Sequence, residues 1–394
     1  MVIRLLLMRA LLALALFATA TTSRVMAADL IVSTNDAKYA RVAGKDMFPP
    51  NPGSDTLNVI DASANPPRIV ATAEVATSIA GPPQAVAITP DGKLAVVSAS
   101  NRYDYDKKEI LLDTFLQVVY LETNPPRVID KVDVRHHPQG LAINRDGNLL
   151  LAATVGGTVA VLRIDAKKLT PIDELKVGDR RLAGVSFTHD GKAALVALRD
   201  EQGIVVLDVA GDKVSTTRER VSTGIAPYAV DVSSDGRWAV VCNAGLAGLA
   251  NPGKLHGDAD TCTLIDVSKR PFRAVQHLTV PSIPEGVAIS PDGKWIAVQA
   301  MDGSNLPPDN PGYRAHGRVL LFEIRNGQAV PTADLPSGVA GQGVVFTADS
   351  RHVLAQFNVE KEIAVFAVND GKMVDTGQRL AVPGGPVSIR SMPR

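Results

Sequence analysis

Glu285 is the one acid in a set of residues that open a short repeated pattern, and a carboxylate in that position can act as a general base toward water. The pattern recurs six times, from Gln84-Ala-Val-Ala-Ile-Thr-Pro-Asp-Gly-Lys to Glu285-Gly-Val-Ala-Ile-Ser-Pro-Asp-Gly-Lys and Gln342-Gly-Val-Val-Phe-Thr-Ala-Asp-Ser-Arg. Gln84, Gln139, Ala183, Tyr228, Glu285 and Gln342 stand first in the copies, and Gly385 opens a shorter seventh match. His136-His137 and Arg180-Arg181 come just before two of them. With Glu285 as base, Arg180 or Arg181 can stabilise a developing oxyanion, and His137 can move a proton. The amides and the phenol of Gln84, Gln139, Tyr228 and Gln342 then offer contacts to a small polar or anionic ligand.

The remaining chemistry-bearing residues point elsewhere. Adjacent histidines in an extended segment face opposite ways, so His136 and His137 do not share an ion. His256 with Asp258 and Asp260, and His316 with Asp302, lack a recognised ligand spacing, and no metal is expected. Asp104, Asp106 and Asp113 lack the glycine and spacing of a calcium loop. Asp231 occupies a position that is Ala, Ser or Val in the other copies; a charge there needs a partner, and a structural role is expected. Cys242 and Cys262 flank one segment, and a disulfide across its neck is expected. There is no Cys-x-x-Cys-His haem attachment, no Gly-x-Ser-x-Gly elbow and no phosphate loop of the Walker type, so no cofactor is expected.

The elements that must position these residues follow from the repeat. Asp-Gly between two apolar runs marks a hairpin, because glycine supplies the positive φ of the turn. Third strands such as Val205-Val206-Leu207-Asp208 and more polar fourth strands complete a meander. Units of roughly 40–50 residues built this way are the blades of a β-propeller. Six copies leave a lone first strand at 385–390 and a lone second strand at 30–35. Joined, they make a seventh blade that pairs otherwise open sheet edges. The expected fold is all-β, a seven-bladed propeller of four-stranded antiparallel blades. Four connections between second and third strands are long: 36–55, 102–113, 244–261 and 302–317. Long loops in a compact fold are usually functional or disordered, and a binding cleft is the reading favoured here over mobile surface decoration. Their placement predicts two walls facing each other across the channel mouth, with Asn101, Arg102, Asp302, Arg314 and His316 as ligand contacts. Met47-Phe48-Pro49 and Leu306-Pro307-Pro308 are the candidate apolar patch for a protein partner.

The first 27 residues read as a secretory signal, with Arg4 and Arg9 before an apolar stretch and Val25-Met26-Ala27 as the cleavage site. Residues 28–394 then form a single domain. The chain of 394 residues balances 41 basic against 41 acidic side chains; the signal carries three arginines and no acid, which leaves 38 against 41. That excludes a polybasic nucleic-acid binder. No later apolar run reaches membrane-spanning length. The expected location is the periplasm.

Second strands that end in asparagine (Val32-Ser33-Thr34-Asn35, Val241-Cys242-Asn243, Phe357-Asn358) resemble the Tyr-Val-Thr-Asn, or YVTN, class of propeller repeat. The likeness extends to the Ser-Pro-Asp-Gly-Lys turns and covers the chain after its signal. It implies a seven-bladed fold shared by lactonases, amine dehydrogenase heavy chains and exported proteins of no assigned role; it transfers a fold, not a reaction. The first expectation is therefore an exported module that binds a small polar or anionic molecule, or a periplasmic protein. The alternative is a lactonase-like hydrolase using Glu285, against which the signal counts, since that branch is typically cytosolic. A third is an accessory subunit of a periplasmic dehydrogenase.

Overall fold

The computed structural model describes residues 29–98, 100–245 and 259–394; the expected signal segment, His256 and Asp258 lie outside them. Each Asp-Gly turn is closed by its own side chains. In the first copy Thr89 Oγ1 donates to Asp91 Oδ1 at 2.6 Å, Asp91 Oδ1 accepts from the Lys93 N–H, and Thr89 Oγ1 accepts from the Leu94 N–H. Thr188–Asp190, Ser233–Asp235, Ser290–Asp292 and Thr347–Asp349 repeat the hydroxyl–carboxylate bond. This is the physical content of the Ser/Thr-x-Asp spacing. The sixth copy replaces glycine with Ser350, which takes φ 61°, and its hydroxyl accepts the Asp292 N–H of the preceding turn.

The turns organise seven four-stranded antiparallel sheets. Blade 1 contains Val86–Ile88, Leu94–Val97, Phe115–Tyr120 and Arg127–Asp133, and the next five follow in chain order. Blade 7 runs Gly385–Ser391, Leu30–Asp36, Thr56–Asp61, Arg68–Glu74, so both ends of the described chain share one sheet, as expected. No helix occurs among the described residues, hence none long and apolar enough to cross a membrane.

Seven apolar clusters hold the ring together, one between each pair of neighbouring blades. Side chains alternate faces along a strand, so a strand between two neighbours is apolar at every position. In Leu149–Thr154 of blade 2, Leu149, Leu151 and Ala153 pack toward blade 3 while Leu150 and Ala152 pack toward blade 1. The outer strands alternate burial with exposure, as in Arg273–Thr279.

At the channel the inner strands approach closely, and glycine in the second position of the pattern permits it. A Cβ on Gly286 would lie 2.5 Å from the Gln342 carbonyl oxygen and 2.9 Å from the Val344 nitrogen, both backbone atoms of blade 6. Gly286→Ala is expected to lower stability by about 1–3 kcal/mol, seen as a lower denaturant midpoint at unchanged slope. An unchanged midpoint would mean that blade 6 yields without cost.

Two of the long connections fold as hairpins. Ala40–Val42 pairs with Lys45–Met47, and Asn101–Asp104 pairs with Glu109–Leu112. They join through aromatic rings: Phe48 stacks on Tyr103 at 3.8 Å, with Tyr39 and Tyr105 at the edges, and the Tyr105 hydroxyl donates to the Pro49 carbonyl. The 40–47 hairpin also reaches the connection of blade 5, where Arg41 Nη1 donates to the Asn305 carbonyl at 3.1 Å and Gly44 lies against Leu306 and Pro307. The expected facing walls therefore meet where the 40–47 hairpin touches the connection of blade 5. Phe48, Leu306 and Pro307 are spent on that contact, while Met47 stays half exposed.

Cys242 and Cys262 are directly opposite in the ladder of blade 4 and form the expected disulfide.

Candidate functional site

Glu285 sits in an irregularity of the sheet. Blade 5 pairs Pro284 with Ala300 and Gly286 with Gln299, which leaves Glu285 as the extra residue of a bulge. Gln139 and Tyr228 occupy the same irregular place in blades 2 and 4. Bulges re-aim side chains, and here they convert a paired strand position into a rim residue. In blades 4 and 5 the residue before the proline completes the device: Ala226 and Ile283 take φ 56° and 55°, a conformation that a β-branched side chain such as Ile283 rarely adopts.

Glu285 is 8% exposed, and its carboxyl makes no hydrogen bond or ion pair within 4 Å among the described residues. Burial lifts its pKa to about 7, moderated by the positive charges of Arg199, Arg41 and Arg181 in that order. Tyr228 shares this environment: burial, then the Glu285 charge, hold its phenol above its ordinary range and so protonated. The Arg199 guanidinium lies over the Tyr228 ring, 4.2 Å from its centroid, and Nη1 donates to the Ala226 carbonyl at 2.6 Å. Arg181 is fixed to Asp200, with Nη2–Oδ1 at 3.0 Å. Arg41 is held by the Tyr39 hydroxyl, Asp46 and the Asn305 carbonyl. The result is a buried, partnerless carboxyl that feels the charges of three guanidiniums, each held by other groups, and acts in turn on the Tyr228 phenol.

Neighbouring polar groups fill the mouth. Gln342 Oε1 is buried without a partner, and a Cβ on Gly81 would lie 2.6 Å from it and 3.6 Å from the Tyr228 hydroxyl. Blades 1, 4 and 6 thus converge on one point. Gln139 is buried, and its side-chain amide makes no hydrogen bond among the described residues. Gln84 is used differently, for Nε2 donates to the Val230 carbonyl at 2.7 Å and Oε1 accepts from the Val230 N–H at 3.1 Å. Blades 1 and 4 are not neighbours, so this pair ties the inner strands across the channel.

The other sequence candidates lie apart from this group. Arg180 is exposed, and only its backbone is held, by Glu201. His137 Nδ1 is bound to the Asp113 carbonyl at 2.7 Å, and burial lowers its pKa. Arg102 pairs with Asp113, and Asn101 Oδ1 is buried without a partner. Arg314 and His316 are exposed; Arg314 donates to the Tyr313 carbonyl. Asp302 takes φ 49°, and burial raises its pKa against the pull of Arg314. Among the described residues no three His, Cys, Asp or Glu side chains gather as a metal site.

Arg199 and Arg41 are not apparent from the sequence. Arg199 stands six residues after Ala193, as Asn358 stands six after His352, so an arginine in place of a strand-ending asparagine is the signal. Arg41 carries none, because it enters on an inserted hairpin. That hairpin is rooted by Lys38, whose Nζ contacts Asp36 Oδ1 at 3.1 Å, Asp55 Oδ2 at 2.5 Å and the Thr77 carbonyl at 2.9 Å. Burial lifts Asp36 to about 7 despite Lys38.

No protein-family model and no curated relative matches the chain. Solved structures match it closely in shape. A periplasmic gluconolactonase of Pseudomonas aeruginosa superposes with a TM-score of 0.65 at 18% identity, covering 93% of this chain and 99% of that one. A candidate 6-phosphogluconolactonase of Bacteroides uniformis gives 0.66 at 16% identity, over 92% and 99%. Hydrazine synthase of Kuenenia stuttgartiensis gives 0.60 at 20% identity, over 80% and 90%. At such identities the likeness is one of fold.

Proposed function

We propose that the protein hydrolyses a lactone, with Glu285 as general base. The observation that carries this reading is the Glu285 carboxyl: buried, without a hydrogen-bond or ion-pair partner, and lifted to about 7, where it exchanges a proton readily at neutral pH. Ionised Glu285 takes a proton from water as the water oxygen attacks the ester carbon. The carbonyl becomes an oxyanion opposite the charges of Arg199 and Arg181. Collapse breaks the bond to the ring oxygen, which takes a proton from the Tyr228 hydroxyl or from protonated Glu285. The product is a hydroxy acid that ionises and releases one proton. The resemblance to the YVTN class, and the fold shared with a periplasmic gluconolactonase, support an exported lactonase and lessen the objection raised by the signal segment.

The test is proton release in a pH-stat by the protein with a panel of five- and six-membered lactones, with and without chelator. Saturable release that is insensitive to chelator is expected; no release with any lactone overturns the reading. The partnerless Gln342 Oε1 favours a second reading, in which the mouth holds a small polar ligand that donates a hydrogen bond to this oxygen and is not turned over. The arginines supply a further check. Arg199→Gln and Arg41→Gln remove charges that favour ionised Glu285, so both are expected to move the acid limb of the rate profile to higher pH, Arg199→Gln the further. Profiles that superpose on the wild type would separate these arginines from Glu285.

A further inference from the structure

The other end of the channel holds a cavity of about 110 Å³, room for about three or four waters at roughly 30 Å³ each. Blades 2 to 7 all contribute to its wall, and the Gln84–Val230 tie is not part of it. Its polar groups are poorly used. Arg390, on the closing strand, is largely buried, yet its guanidinium makes no hydrogen bond among the described residues; its one ion pair, to Asp231 Oδ1, is 3.7 Å long. That is beyond hydrogen-bond distance. The buried Ser186 hydroxyl, on the same wall, also has no hydrogen bond among the described residues. His189 receives the Arg145 N–H at Nε2, at 3.1 Å, so Nδ1 carries the proton, and that buried nitrogen is unpartnered too.

Idle donors around a cavity favour an acceptor there, because a buried donor left unpaired, such as His189 Nδ1, costs about 1–3 kcal/mol. The charges say which kind. Arg394 is paired with Asp29 and Arg145 is exposed, so Arg390 is the largely buried arginine of the wall left without a hydrogen bond among the described residues. A single carboxylate answers that one guanidinium. A guanidinium fork matches a planar carboxylate at two points. Phe187, Ile289 and Phe346 complete the wall with apolar surface that suits a short alkyl group.

We propose that this lower cavity is a second binding site, for a small monocarboxylate whose oxygens take the idle donors of Arg390 and Ser186. Asp231, with Oδ2 accepting the Ile289 N–H at 2.8 Å, is the counter-charge that holds the arginine in place when the site is empty. The site stands apart from Glu285 and does not depend on what Glu285 does.

Calorimetric titration with sodium propionate at constant ionic strength tests it, with inorganic phosphate as the comparison. One saturable propionate site is expected, with phosphate at least about tenfold weaker. Arg390→Gln should weaken propionate by at least about tenfold, and Arg390→Lys, which keeps charge but loses the fork, by about threefold or more. Should Arg390→Gln fail to fold, Ser186→Val decides: it removes a donor and no charge, and a loss of about threefold or more is expected. Absence of saturable propionate binding overturns the proposal, as does binding that survives in Arg390→Gln or, where that variant does not fold, in Ser186→Val. Phosphate binding as tight as propionate overturns the carboxylate assignment.

Discussion

Glu285→Gln is expected to lower the turnover of the best lactone by about 10²–10⁴-fold while leaving KM within a few-fold, since it removes a proton acceptor and little volume. The wild-type rate should rise with pH around a midpoint near 7, where Glu285 ionises, and this limb should be absent from whatever rate the variant retains. The same substitution has a second signature of opposite sign. Burial raises the folded pKa from its ordinary 4.5 to about 7, so the folded state holds a proton that the unfolded chain has lost. Below pH 4.5 both states are protonated and the site costs nothing. The cost grows between pH 4.5 and 7 and is constant above, at about 3 kcal/mol. The neutral amide of the variant carries no such cost. Urea unfolding should therefore find the variant more stable than wild type at pH 8 and equal to it at pH 4. A variant that loses activity with no gain in stability at pH 8 would show that Glu285 is not held as a strained, ionisable group. Unchanged turnover would remove it from the reaction altogether.

Loss of the Cys242–Cys262 bridge is the other large effect. The bridge closes a loop spanning 20 positions and releases about 3 kcal/mol of chain entropy from the folding cost. Both cysteines are fully buried in the apolar cluster between blades 4 and 5, so a polar replacement would add a burial penalty of its own. The Cys242→Ala/Cys262→Ala double variant avoids that penalty and is expected to lose about 3 kcal/mol, measured from the denaturant midpoint. A loss below about 1 kcal/mol would mean that the ladder on either side already fixes the neck of the connection. Glu285 belongs to the neighbouring blade, so residual activity in the folded variant should be close to wild type.

Legibility follows the range of the interactions. The turns of the pattern are local devices, five closed by side chains two residues apart and the second by Asn144, and six such turns announce six blades. The closing blade is readable because an unpaired strand at each end of the chain has one place to go. Glu285 stands out as an acid in a repeat of amides, and Cys242 with Cys262 because each stands where its strand meets the connection between them. Other features need three dimensions. Arg199, Arg41 and Glu285 come from blade 3, an inserted hairpin and blade 5, and no spacing in sequence relates them. Gln84 resembles a rim residue because the pattern says where a residue stands and not what it crosses to reach. The 40–47 segment has no alternation to mark two strands, and its pairing depends on the rings and the blade 5 connection beneath it. Asp231 is conspicuous in the repeat, but its partner Arg390 lies on the last strand.

The closing blade also sets when this molecule can finish folding. Ile31 pairs with Ser391, contacts as distant in sequence as the described chain nearly allows, and such contacts form late because the closure entropy must be met first. Until then Leu30–Asp36 has one open edge, and the blade 6 cluster lacks the Ile389 side chain that it packs against. An open edge accepts any strand of matching register, including the 385–391 segment of another molecule. Crowded, half-made chains can thus trade last strands and close as linked pairs, each ring complete yet neither made from a single polypeptide. Dilution during refolding favours the self-closed ring, since the chain's own last strand competes at a fixed effective concentration.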